Sequence, residues 1–418
     1  MPFIKKNTIP IFLAIVTFIT LRLITHVYGP FSGYVDFQFY YEKSVQFSNG
    51  TFKQSADLLY AALFPTTVYY PLFLSFFMKI FGSSMLVGIT INQILVAILA
   101  FFLYKFLLSL GAKWYIGLIV TLFACLNPII ACYTNSINAE IGFGVFILLA
   151  FLTISRYHSY PKTIKIVFCA VFLLIASFFR PLAIILFVIV LISLIINILQ
   201  GKIRLASSSA VLHLSLFILI FFLPLGTLTM KTITGFSPSS SSYGWNLFVG
   251  MSDSGEWTAA DAKIFAKKEL NSTNPNDVMD YFKQEGIARL ESKGILGLFA
   301  LVPQKMHMFT RGDSIIMLSG LSHPELTNPI NNVTCWLFYL TLLSCFVIIL
   351  FSLLRKNCAP PFVLSLYLLI SICAFMFLES HGRYSVSYFL IYPLLIYFSC
   401  QNIYAMVKSY NNKRCIDV

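Results

Sequence analysis

The chain has 418 residues, of which 58% are hydrophobic, 16% aromatic and only 11% charged, with a net charge of +13. A soluble domain is roughly 25% charged, so this composition excludes a soluble globular enzyme. The long, non-repeating apolar runs exclude disorder, coiled coil and collagen-like structure as well. What remains is a membrane protein of several spans, in keeping with a mean hydropathy of +0.82.

A helix needs about 20 apolar residues to cross the hydrocarbon core. That ruler predicts ten transmembrane helices. The first seven lie near Ile9–Val27, Ser84–Leu108, Trp114–Cys132, Ala139–Ser155, Ile164–Phe179, Pro181–Leu199 and Ala210–Thr229. The last three lie near Val333–Leu354, Pro361–Leu378 and Tyr388–Val407. The fifth is short and turns abruptly into the sixth at Arg180-Pro181. The apolar piece Tyr70–Phe81 is too short to cross and reads as a re-entrant or juxtamembrane helix.

Charge placement supports this arrangement. With the N-terminus inside, fourteen basic residues (among them Lys5, Lys6, Arg156, Lys202, Arg204, Arg355 and Lys356) and one acid, Asp417, face the cytoplasm. The other fifteen acids and fourteen basic residues fall outside, and Arg22 lies within the first span. Such asymmetry follows the positive-inside rule. The excess positive charge is therefore a topology signal, with both termini cytoplasmic, and gives no support to nucleic-acid binding.

The expected fold class is an all-α polytopic membrane protein with about ten spans, juxtamembrane helices and a small helical external segment. Three parts follow: an N-terminal transmembrane module, 1–230, with an external loop at 28–83; an external segment, 231–332; and C-terminal helices, 333–418. The first loop opens with dense aromatics, which suit a membrane interface. Within it, Asp36–Phe47 has the spacing of a helix lying in the headgroup plane. In the external segment, a serine run at 237–242 is a flexible connection. Thr258-Ala259-Ala260-Asp261 has capping-box spacing and opens a helix to Leu270. A second helix follows Pro275 with Val278, Tyr281 and Phe282 on one face. Gly294–Phe309 is apolar, interrupted at Pro303, and suits a helix lying on the membrane.

Nine cysteines are scattered without a CxxC pair, and their odd number argues against a disulfide framework. The histidines show no metal-ligand spacing and no nucleotide-binding glycine loop is present, so no metal or cofactor is expected. The informative residues are ionisable groups at the outer membrane boundary, where desolvation is costly without a partner or a task. These are Asp36, Glu140, Arg180, Arg311, Asp313, Glu379, His381 and Arg383, from five stretches of chain on one side of the membrane. Asp36 suits a general base on an acceptor hydroxyl and equally an N-terminal helix cap; the two roles are compatible. Arginine at this depth suits a lipid phosphate, which its planar fork binds bidentately. For Arg311, snorkelling to headgroups serves as well. Glu140 near a helix N-terminus is electrostatically favoured in any case.

At these residues the chain resembles the GT-C superfamily of membrane glycosyltransferases, in the group of protein O-mannosyltransferases and aminoarabinose transferases. The resemblance rests on Val35-Asp36-Phe37-Gln38-Phe39-Tyr40-Tyr41 after the first span, and on Tyr69-Tyr70-Pro71-Leu72-Phe73 through Phe81-Gly82. It rests also on the connection from Asn127-Pro128 to Glu140 and on the Arg180-Pro181 corner. Further matches are Gly244–Gly250 with Gly255-Glu256-Trp257 and Asp261, and the late Glu379-Ser380-His381-Gly382-Arg383-Tyr384. The family's double proline is Tyr70-Pro71 here, and a second acid beside Asp36 is absent.

The resemblance implies transfer of a sugar from a polyprenyl-phosphate donor to an acceptor hydroxyl on the extracytoplasmic face, with inversion. Asp36 would be the base, Arg180, Arg311 and Arg383 would bind the donor phosphate, and Glu140, Tyr70, Glu379 and Tyr384 would line the sugar or acceptor side. The partners would be the lipid-linked sugar, the bilayer and an envelope glycopolymer, lipid or protein acceptor. The rival readings are a flippase, which would need inverted repeats and mid-membrane charges, and an envelope polysaccharide polymerase or ligase.

Overall fold

The computed structural model describes residues 2–30, 35–54, 57–159, 163–199, 226–236, 243–310, 324–355, 360–380 and 382–414. Among the described residues the chain is helical, without strands. The predicted serine run, Arg311, Asp313 and His381 lie outside the described residues, as does most of the seventh predicted span.

The first helix, α1 (Pro2–Tyr28), packs along α5 (Met85–Ser109). Polar clasps fix their register: Arg22 Nη1 donates to Thr90 Oγ1 at 3.2 Å, and Gln93 Nε2 donates to Thr25 Oγ1 at 2.6 Å. Arg22, a charge inside an apolar helix, thus finds a hydroxyl on its neighbour. Between these helices come α2 (Val35–Ser48), the short α3 (Leu58–Leu63) and α4 (Thr66–Phe81). The helix expected at Asp36–Phe47 and the non-crossing piece ending at Phe81 correspond to α2 and α4.

Beyond α5, the helices α6 (Trp114–Cys125) and α7 (Pro128–Thr134) stand where one span is expected. The cause is local. The Asn127 side chain accepts from the Ile130 N–H at 3.0 Å, and Pro128 occupies the first turn, so a new helix starts there. Asn138 similarly accepts from the Ile141 N–H at 3.2 Å and opens α8 (Ala139–Ser159). Next, α9 (Thr163–Phe179) and α10 (Ala183–Leu199) meet at the Arg180-Pro181 corner, followed by α11 (226–234).

The external segment holds α12 (Tyr243–Gly250), α13 (Ala259–Leu270) and α14 (Pro275–Phe309). Both hydrogen bonds of the capping box are made at the start of α13. Trp245, Phe248, Phe265, Val278 and Phe282 close a small apolar core with Leu63 from α3. Close approach is possible because position 244 is glycine: a Cβ there would stand 2.2 Å from the Met279 carbonyl oxygen. Helix α14 is kinked at Gly294, whose φ of 59° and ψ of −176° only glycine adopts readily. The C-terminal part comprises α15 (Pro324–Leu354), α16 (Pro360–Phe377), α17 (Val386–Phe389) and α18 (Tyr392–Arg414).

The expectation of ten spans is corrected. Among the described residues four stretches are long and apolar enough to cross a membrane: Thr8–Tyr28, Met85–Ser109, Asn328–Leu354 and Pro360–Phe377. A fifth is reached if the bent pair Gly382–Phe389 and Tyr392–Ser409 is one span. Helices α6, α9 and α10 are apolar, but breaks at Asn127-Pro128 and Arg180-Pro181 leave them shorter than the bilayer ruler. The chain is a helical membrane protein with four to five candidate spans among its described residues.

Candidate functional site

One cavity of about 840 Å³ opens among α2, the start of α8, the α9–α10 corner, the 378–387 stretch and the external segment. Its charged side chains reach it by ordinary local rules. Asp36 lies in the first turn of α2 and Glu140 in the first turn of α8, where the helix dipole favours a carboxylate. Arg180 projects from the break after α9, its N–H still bonded to the Ala176 carbonyl at 2.9 Å. Arg383 and Tyr384 sit on the single 3₁₀ turn Gly382–Ser385, just before α17.

The four charges form two crossed pairs. Arg383 Nη1 is ion-paired with Asp36 Oδ2, and Arg180 Nη2 with Glu140 Oε1. Glu140 is 2% exposed, and its second oxygen, Oε2, is buried without a hydrogen-bond partner. Tyr384 ties the pairs together. The Arg180 and Arg383 guanidinium carbons lie 5.5 and 5.3 Å from its ring centroid, and its hydroxyl donates to Glu379 Oε2 at 3.0 Å. Phe375 stacks on the same ring at 5.4 Å. Aromatic faces of this kind hold guanidinium groups in place by cation–π attraction.

Burial shapes the proton affinities. Burial raises the Glu379 carboxyl above the usual carboxylate range, although the Arg383 charge and the Tyr384 hydrogen bond pull the other way. The Tyr40 hydroxyl is pushed up to about 12, chiefly by burial, so it stays protonated in the cavity wall. Toward the mouth, burial and the nearby Asp57 raise the Glu269 carboxyl.

Asp36, Glu140, Arg180, Glu379, Arg383 and Tyr384 all line the cavity. Tyr70 does not: it is fully buried behind the wall, edge-on to Tyr40 at 5.4 Å and to Phe179 at 5.4 Å. Its aromatic bulk is used for core packing, and its expected place on the substrate side is withdrawn. Arg311 lies outside the described residues.

Several lining residues carry no signal that sequence reading catches. Asp57, Tyr60 and Glu269 reach the cavity only through tertiary packing. Lys43, 3% exposed, is anchored to Asp57 Oδ2 at 2.5 Å and lies over the Phe39 ring at 5.0 Å. An amphipathic reading of α2 places it merely on a polar face. Among the described residues no group of three His, Cys, Asp or Glu side chains could hold a metal ion.

The arrangement offers a carboxylate at the cavity wall and two guanidinium groups within reach of one bound anion. It also offers aromatic and carboxylate surface toward the mouth. That combination suits a polyhydroxylated substrate carrying a phosphate. No family model matches the chain, and neither does any curated protein or solved structure at a significant level.

Proposed function

We propose that the protein is a membrane glycosyltransferase of GT-C type, moving a sugar from a polyprenyl-phosphate donor to an acceptor hydroxyl. The single observation that supports this reading best is the meeting of Asp36, Glu140, Arg180, Glu379 and Arg383 in one cavity. They come from four separate stretches of a largely apolar chain. On this reading the cavity faces the extracytoplasmic side, and the shorter apolar helices complete the bundle.

The chemistry follows from the groups present. The acceptor O–H gives its proton to the Asp36 carboxylate while its oxygen attacks the anomeric carbon from the face opposite the phosphate. The bond between that carbon and the phosphate oxygen breaks, and its electron pair stays on the phosphate. Arg180 and Arg383 receive the developing charge, so no proton need be supplied to the leaving group. Glu140 and Glu379 face the sugar hydroxyls, with Tyr384 holding the arginines in line.

The test is direct. Purified protein in lipid nanodiscs, given a polyprenyl-phosphate sugar and envelope extract as acceptor, is expected to release polyprenyl phosphate, and Asp36→Asn is expected to stop it. Mass spectrometry of a deletion strain is expected to show a missing sugar decoration on an envelope glycopolymer, lipid or protein. Intact decoration, with Asp36→Asn at full activity, rejects the assignment. Accumulation of lipid-linked sugar on the inner leaflet points instead to a flippase.

A further inference from the structure

The stretch carrying Glu379 is held from behind the cavity by a lysine that no sequence motif marks. Lys305, near the end of α14, is 0% exposed. Its Nζ donates to the Leu378 carbonyl at 2.8 Å and to the Phe375 carbonyl at 3.5 Å. These carbonyls end α16, where helix geometry leaves C=O groups without partners and favours a cationic donor. The Ser380 hydroxyl adds a hydrogen bond to the Phe375 carbonyl at 2.8 Å.

The external segment closes on the same stretch with its backbone. The Glu379 N–H donates to the Asn246 carbonyl at 2.9 Å and the Ser380 N–H to the Gly255 carbonyl at 3.4 Å. Two glycines make room. A Cβ on Gly250 would stand 2.3 Å from the Leu378 carbonyl carbon. One on Gly255, at φ +65°, would stand 3.0 Å from Lys305 Cε. Lys305 is thus wedged between the Gly255 turn and the end of α16, and the charges that act on it are Glu379 ahead and Lys293 on its own helix. Burying an amine is costly without acceptors, and a methionine of similar length would pack there at no such cost. What the lysine adds is a hold on two carbonyls of the last turn before Glu379, those of Phe375 and Leu378.

We propose that Lys305 is a positioning residue, fixing residues 378–380 so that Glu379, and Arg383 and Tyr384 beyond it, stand at the cavity wall. This goes beyond the glycosyltransferase reading and does not rest on it, because the placement of the stretch is readable without turnover. In the full-length protein in nanodiscs, Ser380→Cys supplies a buried thiol at the held position. Its labelling by a membrane-impermeant maleimide is followed by mass spectrometry of the peptide containing residue 380. Adding Lys305→Met is expected to speed labelling about tenfold or more, through local opening. Lys305→Arg, which keeps a donor, is expected to stay within about threefold of the parent rate, as a small change in opening energy requires. A monodisperse Lys305→Met protein that labels at the parent rate overturns the proposal. Should that variant fail to fold, Lys305→Leu, another apolar replacement without a donor, decides: faster labelling supports the assignment, and the parent rate overturns it.

Discussion

Asp36 and Arg383, 347 positions apart in the sequence, form an ion pair at the wall of the cavity. The proposed base therefore shares its cation with the proposed phosphate site. A donor phosphate that draws Arg383 to itself leaves the Asp36 carboxylate to accept a proton, which favours donor binding before the acceptor. Asp36→Asn is expected to lower transfer by about 10²–10⁴-fold, the usual range for a general base. It should also tighten binding of polyprenyl phosphate itself, since the competing carboxylate charge is gone. Turnover assays and a fluorescence titration with polyprenyl phosphate, on wild type and variant, check both halves.

The Glu140–Arg180 pair makes a different prediction. Removing one partner leaves a buried charge without compensation, which typically costs about 3–5 kcal/mol. Arg180→Gln alone should therefore lower thermal stability in detergent sharply, with Glu140 2% exposed beside it. The double variant Arg180→Gln, Glu140→Gln should recover much of that loss while remaining inactive. Thermal unfolding of both, measured alongside transfer, separates structure from chemistry.

Tyr384 and Tyr70 contrast two tyrosines of one neighbourhood. Tyr384→Phe removes a hydrogen bond to Glu379, worth about 1.5–3 kcal/mol when the partner is charged, and is expected to reduce transfer about tenfold or more. Tyr70→Phe removes a hydroxyl whose contact with Asn92 is a long 3.5 Å, and activity should change little. Steady-state rates for both variants test the assignment of Tyr70 to the core.

Lys305 gives stability a pH signature. Burial lowers its ammonium to about 7 from an ordinary value of 10.5. Between those values the unfolded chain holds the proton and the folded chain does not, so stability rises with pH across the window and levels off above it. Below about 7 both states are protonated and the charged, buried form is at its least stable. Lys305→Met should lack this rise. Melting temperatures from pH 6 to 10, wild type against variant, check the sign.

How much of this was legible in sequence depends on the range of the interaction. The capping box at Thr258 and Asp261, the helix at Val35–Ser48 and the corner at Arg180-Pro181 are written in residues within a few positions of one another. Hydropathy, by contrast, averages over its window. It passes over Asn127-Pro128, where one capping side chain and one missing N–H end a helix within an apolar run. The side of the cavity to which charges belong follows from pattern, but their pairing does not: Glu140 is 40 positions from its arginine and Asp36 is 347 from its own. Tyr70 misleads for a related reason, since an aromatic beside a motif proline reads alike whether it faces a substrate or a neighbouring helix.

The kink at Gly294 divides α14 into two unlike halves. Upstream, α14 shows water a face of Lys, Asp and Glu; downstream, Ile295, Leu296 and Phe299 are bare, at 73%, 85% and 69% exposed. A helix half this apolar suits a membrane surface, where such a face is buried at the headgroup boundary. Because Lys305 extends from that apolar half to the carbonyl just before Glu379, the helix and the cavity wall are tethered to one another.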